Sequence, residues 1–191
     1  MFKLSIKIIL VFISLVSLNS CIPSANTIAP DVYFKGPDKF DTNNTKTYWS
    51  STITINSPMF GISNIISFYY LRFAQADSLE TWQVKTLFAA KDWIFVNKIK
   101  FLIDKDIFEF DSVPKPIRKV GDPLGGSDIS ERNIFIVTPK FCKAILLANV
   151  ISVRLIGENS YIDRDLSKSD IQQMRNFINY VDSNVARTKL N

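Results

Sequence analysis

The sequence predicts an α+β fold: a mainly antiparallel β-sheet of six to eight strands, with a short helix and a long C-terminal amphipathic helix packed on one face. Three observations predict it. Between Thr47 and Phe110, β-branched and aromatic residues recur in short runs cut by turn-forming residues. Thr138-Pro139 then pairs a side-chain cap with a proline suited to the first position of a short helix. Last, Ile171, Met174, Ile178, Val181 and Val185 recur at three- and four-residue steps, the stripe of a helix lying on a core.

Taken in order, the first runs hold Trp49, Ile53 and Ile55; then residues 65–74; then Trp82, Val84, Thr86 and Phe88; then residues 93–103. The breaks at Asn56-Ser57-Pro58 with Gly61, at Asp77-Ser78-Leu79-Glu80 and at Ala90-Lys91-Asp92 are short, so these four strands are expected to be neighbours in a meander. Residues 65–73 are apolar or aromatic at nearly every position, which predicts a central strand with one face under helices and the other covered or open for binding. Residues 98–103 and 107–110 flank Asp104-Lys105-Asp106 and predict a hairpin, because aspartate tolerates tight turn geometry. Residues 133–137 read as a strand, 139–148 as the short helix and 150–156 as a returning strand, after which Gly157-Glu158-Asn159 turns into Tyr161-Ile162. The long helix enters at Ser167, with Asp170 completing a capping-box-like pair and Leu166 and Ile171 placed as a hydrophobic staple. Gln172, Arg175, Asn179 and Asp182 lie off its apolar stripe.

The first residues carry a different kind of message. Lys3 and Lys7 form a basic n-region, residues 8–18 are apolar save for Ser14 and Ser17, and Leu18-Asn19-Ser20-Cys21 closes the segment. This stretch resembles the export signal and lipobox of bacterial lipoproteins, Asn19 being the one position outside the usual small or β-branched set. The resemblance implies cleavage before Cys21, acylation of that cysteine, and stable attachment to a bilayer, since more than one acyl chain is needed to hold a protein firmly. Eleven residues are too few for a spanning helix, which needs about twenty. With such a signal, residues 1–20 are removed, residues 21–45 form a lipidated and largely disordered tether, and 46–191 make a single domain. Pro23 and the lack of aspartate beside Cys21 fit sorting to the outer membrane.

Composition narrows function. The chain of 191 residues has no histidine, which removes Ser-His-Asp and Cys-His mechanisms and the commonest zinc ligand. With Cys21 acylated, Cys142 is the sole remaining thiol, set in an apolar run that suits a buried residue, and no intramolecular disulfide is expected. Lys3 and Lys7 leave with the signal, so 21 basic residues face 18 acidic ones, a net charge of +3 with no cluster of the kind that binds nucleic acid.

Candidate chemistry is sparse. Asp163-Arg164-Asp165 resembles the opening of a calcium loop, yet Lys168 stands where glycine is required and Met174 where a glutamate ligand belongs, so no metal is expected. The alternative function, an extracytoplasmic hydrolase or lyase using carboxylate, tyrosine or lysine groups, would place its site near Asp104 and Asp106, with Glu109 beside them, and the loop over 112–131. Residues 112–131 form the longest non-periodic stretch and the candidate binding loop, with Lys115, Arg118, Lys119, Asp122, Gly125 and Gly126 as its named residues. No phosphate-loop pattern follows these glycines. Arg118 and Arg154 could meet an anionic ligand or simply a carboxylate such as Glu131 or Glu158. The reading that results is a membrane-anchored, non-enzymatic binding or interaction module of the bacterial envelope, without cofactor. Its partners would be the bilayer through Cys21 and an envelope protein, a glycan or a host molecule. A carrier of an apolar ligand, seated between sheet and long helix, is the third alternative.

Overall fold

The computed structural model of the chain describes residues 26–37, 39, 41–56, 66–77, 79–113, 116–121, 129–186 and 190. Over these the fold is α+β, with strands in antiparallel pairs and two helices. The described strands number twelve and form two sheets, more than the six to eight expected of one. The larger sheet runs in the order β1 (Asn26–Ala29), β2 (Val32–Lys35), β3 (Lys46–Ser50), β5 (Ile66–Ala76), β6 (Leu79–Ala90), β10 (Ile129–Val137), β9 (Ile117–Val120), with β4 (Ile53–Asn56) also pairing to β5. The smaller runs β12 (Tyr161–Asp165), β11 (Ile151–Ile156), β7 (Lys98–Ile103), β8 (Asp106–Asp111). The helices are α1 (Pro139–Leu147) and α2 (Lys168–Asn184).

Aspartate sets three of the hairpin turns. Asp31, Asp77 and Asp104 take φ values of 61°, 45° and 51°, in the left-handed region that short polar side chains tolerate better than bulky ones. Asp77 closes the β5–β6 hairpin, whose register runs from Ala76↔Leu79 to Ile66↔Ala89 and forms the spine of the large sheet. Period-2 alternation then divides β5 into Ser67, Tyr69, Leu71, Phe73 and Gln75 on the buried face and Phe68, Tyr70 and Arg72 on the other.

Both helices pack on the inner faces. Met174 and Phe177 of α2 meet the large sheet: the Tyr69 hydroxyl donates to the Met174 sulfur at 3.4 Å, and the Phe177 ring lies edge-on to Trp82 at 6.0 Å. Phe141 of α1 packs on Phe101, Phe108 and Phe110 of the small sheet, with ring centroids 4.8 to 5.7 Å apart. The two sheets meet where Ser112, just past β8, bridges Phe135 of β10, and where the Arg164 guanidinium of β12 donates to the Thr54 carbonyl of β4. Tyr69 against Phe101, centroids 5.6 Å apart, joins the two inner faces directly.

Three expectations are corrected. The disorder expected over 21–45 does not hold for residues 26–35, because Asn26–Ala29 and Val32–Lys35 form the β1–β2 hairpin at the sheet edge and Val32 is buried in the core. Alternation at Tyr33 and Phe34 is what ties it down: Phe34 lies against Tyr48 and Tyr33 against Trp49, on neighbouring β3. The expected meander breaks after β6, because residues 91–97 leave the large sheet and β7 begins in the small one. Finally, the 112–131 stretch is not wholly a loop, since β9 and the start of β10 pair within it, Arg118 opposite Glu131.

Candidate functional site

The sequence-predicted residues fall in separate places. Cys21, Lys115, Asp122, Gly125 and Gly126 lie outside the described residues. Arg118 and Lys119 stand on β9, and Lys119 is exposed. Arg118 is engaged: its Nε reaches the Glu131 carboxylate at 3.4 Å and its guanidinium sits 5.1 Å from the Phe95 ring centroid. Glu131 is fully buried, and its two oxygens accept the backbone N–H groups of Ile94 (3.2 Å), Phe95 (2.9 Å) and Val96 (2.9 Å). Three consecutive donors turn toward one carboxylate because Phe95 is left-handed, φ 54°, which makes an anion-binding concavity of the backbone. Glu158 N–H donates to the Ile94 carbonyl at 2.8 Å beside Gly157, where a Cβ would stand 1.9 Å from that oxygen. This is the joint between the sheets, and it consumes Arg118.

The other acids are also in structural use. Asp104 accepts the N–H groups of Asn149 and Val150, both at 3.0 Å. Glu109 pairs with Lys98 and, at 2.5 Å, with Lys100, and those two ammonium groups hold its carboxyl below the usual range. Asp163 pairs with Arg154 at 2.5 Å and Asp165 accepts from the Ser152 hydroxyl at 2.6 Å, while Arg154 also lies over Tyr161. Among the described residues, no group of three His, Cys, Asp or Glu is placed to hold a metal ion. Cys142 is buried, and burial pushes its thiol well above the ordinary range. Tyr69, Trp82, Met174 and Phe177 fill the contact between the large sheet and α2, where an apolar-ligand carrier would need its cavity.

What does converge is the outer face of the large sheet. Register sets its rows: Phe68, Leu87, Arg132 and Ile117 in one; Tyr70, Lys85 and Ile134 in the next; Trp49, Arg72, Gln83 and Ile136 in the third. Two adjoining concavities share Tyr70 and Lys85. One, of about 420 Å³, is lined chiefly by Phe68, Leu87, Val113, Ile117 and Ile134, with Arg132 at its side. The second, of about 380 Å³, is lined by Lys35, Asp41, Trp49 and Arg72 beside the shared pair. The first is an apolar trough and the second a basic pocket.

The electrostatics of the pair are unbalanced. Lys85 stands on β6 in the middle of the sheet, half-buried, with no carboxylate at ion-pair distance among the described residues. Burial first, and the charge of Arg72 second, hold its ammonium pKa below the ordinary lysine value. Arg72 donates to the neutral Gln83 Oε1 at 2.7 Å and Thr47 Oγ1 at 3.1 Å, so its charge is oriented without being neutralised. Burial raises the Tyr70 phenol, with Arg72 and Arg132 opposing that shift, so the hydroxyl stays a neutral donor. Asp41, the one acid in the lining, accepts N–H groups from Asn43 at 3.0 Å and Thr45 at 2.9 Å, and hydrogen bonding to Thr45 is the main cause of its lowered pKa. Such an arrangement can receive an anion in the basic pocket and an apolar group beside it. Sequence reasoning left one face of residues 65–73 covered or open for binding but named no binding residue on it. The signal was present in the alternation of Tyr70, Arg72 and Lys85 opposite the core residues Tyr69, Leu71 and Val84. Compared with protein-family models, curated proteins and solved structures, the chain matches none.

Proposed function

We propose that this chain is a lipid-anchored protein of the bacterial envelope, acylated at Cys21, and that it works as a binding module through the outer face of its larger sheet. The observation that carries the binding part is Lys85: a half-buried cation in the centre of a sheet, beside an apolar trough, without a carboxylate partner among the described residues. Desolvating an unpaired ammonium costs free energy, so a fold that retains one there gives it an anion to meet. The anchor part rests on the basic n-region, the apolar run and the Leu18-Asn19-Ser20-Cys21 ending. Outer-membrane placement follows from Pro23 and the residue after Cys21.

The intact mass of the native protein extracted from membranes, beside that of Cys21→Ala, tests the reading. The expected result is residues 21–191 plus acyl chains, with the acyl mass absent from the variant. An unacylated mature chain released into solution overturns the anchor and leaves Cys21 as a free thiol.

A further inference from the structure

We propose that the basic pocket holds the anionic headgroup of a lipid belonging to the bilayer that carries Cys21, an inference that rests on the anchor reading above. Chain length comes first. Among the described residues strand pairing begins at Asn26, five residues after Cys21, and five residues span at most about 18 Å. The acylated cysteine therefore sits within that distance of the sheet edge.

Position comes second. Asn26 pairs with Phe34, the residue before Lys35, and Lys35 in turn pairs with Thr47, the residue whose hydroxyl accepts from Arg72. The anchor thus enters at the end of the sheet where the basic pocket opens, one strand spacing from Lys35 on β2, three from Arg72 on β5 and four from Lys85 on β6, about 5, 14 and 19 Å. A headgroup in the same leaflet is within reach.

Charge comes third. Lys35, Arg72 and Lys85 line the pocket against Asp41 alone, whose oxygens are already occupied by backbone N–H groups. A phosphate oxygen can take hydrogen bonds from the ammonium and phenol of the Lys85–Tyr70 pair, while the trough lined by Phe68, Leu87 and Ile134 receives an apolar segment beside the head. Acyl chains on Cys21 already suffice for attachment, so the headgroup contact orients the domain: the outer face of the large sheet turns toward the bilayer and the small sheet away from it.

The test uses residues 21–191 with Cys21→Ala, which removes the acyl chains and no described element. The chain is sedimented with vesicles of phosphatidylcholine alone and of equimolar phosphatidylcholine and phosphatidylglycerol. At low salt the anionic vesicles are expected to bind at least ~10-fold more tightly, with the excess lost at high salt. Lys85→Met and Arg72→Gln should each weaken binding about fivefold, and Lys105→Met, on the exposed β7–β8 turn, should not change it. Equal binding to both vesicles overturns the inference, as does an undiminished preference in a Lys85→Met chain whose circular dichroism is native. Displacement by micromolar glycerol phosphate also overturns it, because the site would then serve a soluble phosphate. The anchor reading fails by a different measurement, the intact mass, so the two failures are distinguishable.

Discussion

Glu131 and Lys85 are two ionised side chains on neighbouring strands with opposite circumstances. Glu131 is buried with every near neighbour arranged to suit it: three backbone N–H groups and Arg118. Glu131→Gln keeps the shape but turns one acceptor into an amide donor facing other donors. A loss of about 3 kcal/mol is expected, read as a lower urea midpoint at an unchanged slope. Lys85→Met should move the other way and raise the midpoint, since it removes a desolvated charge that no carboxylate offsets. The sign with pH follows from the lowered pKa. Protonating Lys85 opposes folding, so the native chain gains stability as pH rises through the folded-state value toward the ordinary lysine value of about 10.4. The stability gap between Lys85→Met and the native chain should therefore narrow over that range. Of these residues, only the Arg118–Glu131 pairing could be named from sequence, and then only as one of several options. Lys85 in its strand looks like any solvent-facing lysine until register sets Tyr70 and Ile134 on either side of it.

Elements were legible where local chemistry decides them. The cap at the start of α2 is one: the Ser167 hydroxyl accepts the Asp170 N–H at 3.2 Å, and the Asp170 carboxylate accepts the Ser167 N–H at 2.9 Å. Ser167→Ala should cost about 1 kcal/mol in chemical denaturation. Asp170→Ala should cost more, because Asp170 also pairs with Arg164 at 2.7 Å, and Arg164 ties the helix entry to β4. The turns at Asp77 and Asp104, the Thr138-Pro139 start and most of the α2 stripe are similarly readable, whereas the turn at Asp31 lies inside the stretch read as a tether and Phe177, buried beside Ile178, falls outside the stripe as read. Residues 93–97 were not. Trp93, Ile94, Phe95 and Val96 have strand composition, but the N–H groups of the last three go to a side chain some 35 residues further along, a contact that periodicity cannot reveal. Strand β9 was missed for the opposite reason: all four residues are exposed, so it carries no buried alternation.

For the whole molecule, the α+β class followed from counting elements, whereas the division into two sheets did not, because it depends on where one connection crosses. That crossing leaves the outer face of the large sheet uncovered by the helices, which lie on the inner faces with Phe141, Met174 and Phe177. With the proposed anchor entering at the β1 edge, the proposed orientation turns the small sheet and its exposed Leu102, Ile107 and Tyr161 away from the bilayer. The Glu131 joint also imposes an order in time. Residues 94–96 emerge from synthesis before Glu131 does, and until β10 has paired with β6 their N–H groups have no carboxylate to meet. The β7–β8 hairpin can close by itself, since its contacts are local, but it has no seat. Docking of that hairpin therefore waits on the large sheet, and a chain exported from its N-terminus, as proposed for this one, carries the hairpin undocked until residue 131 has crossed.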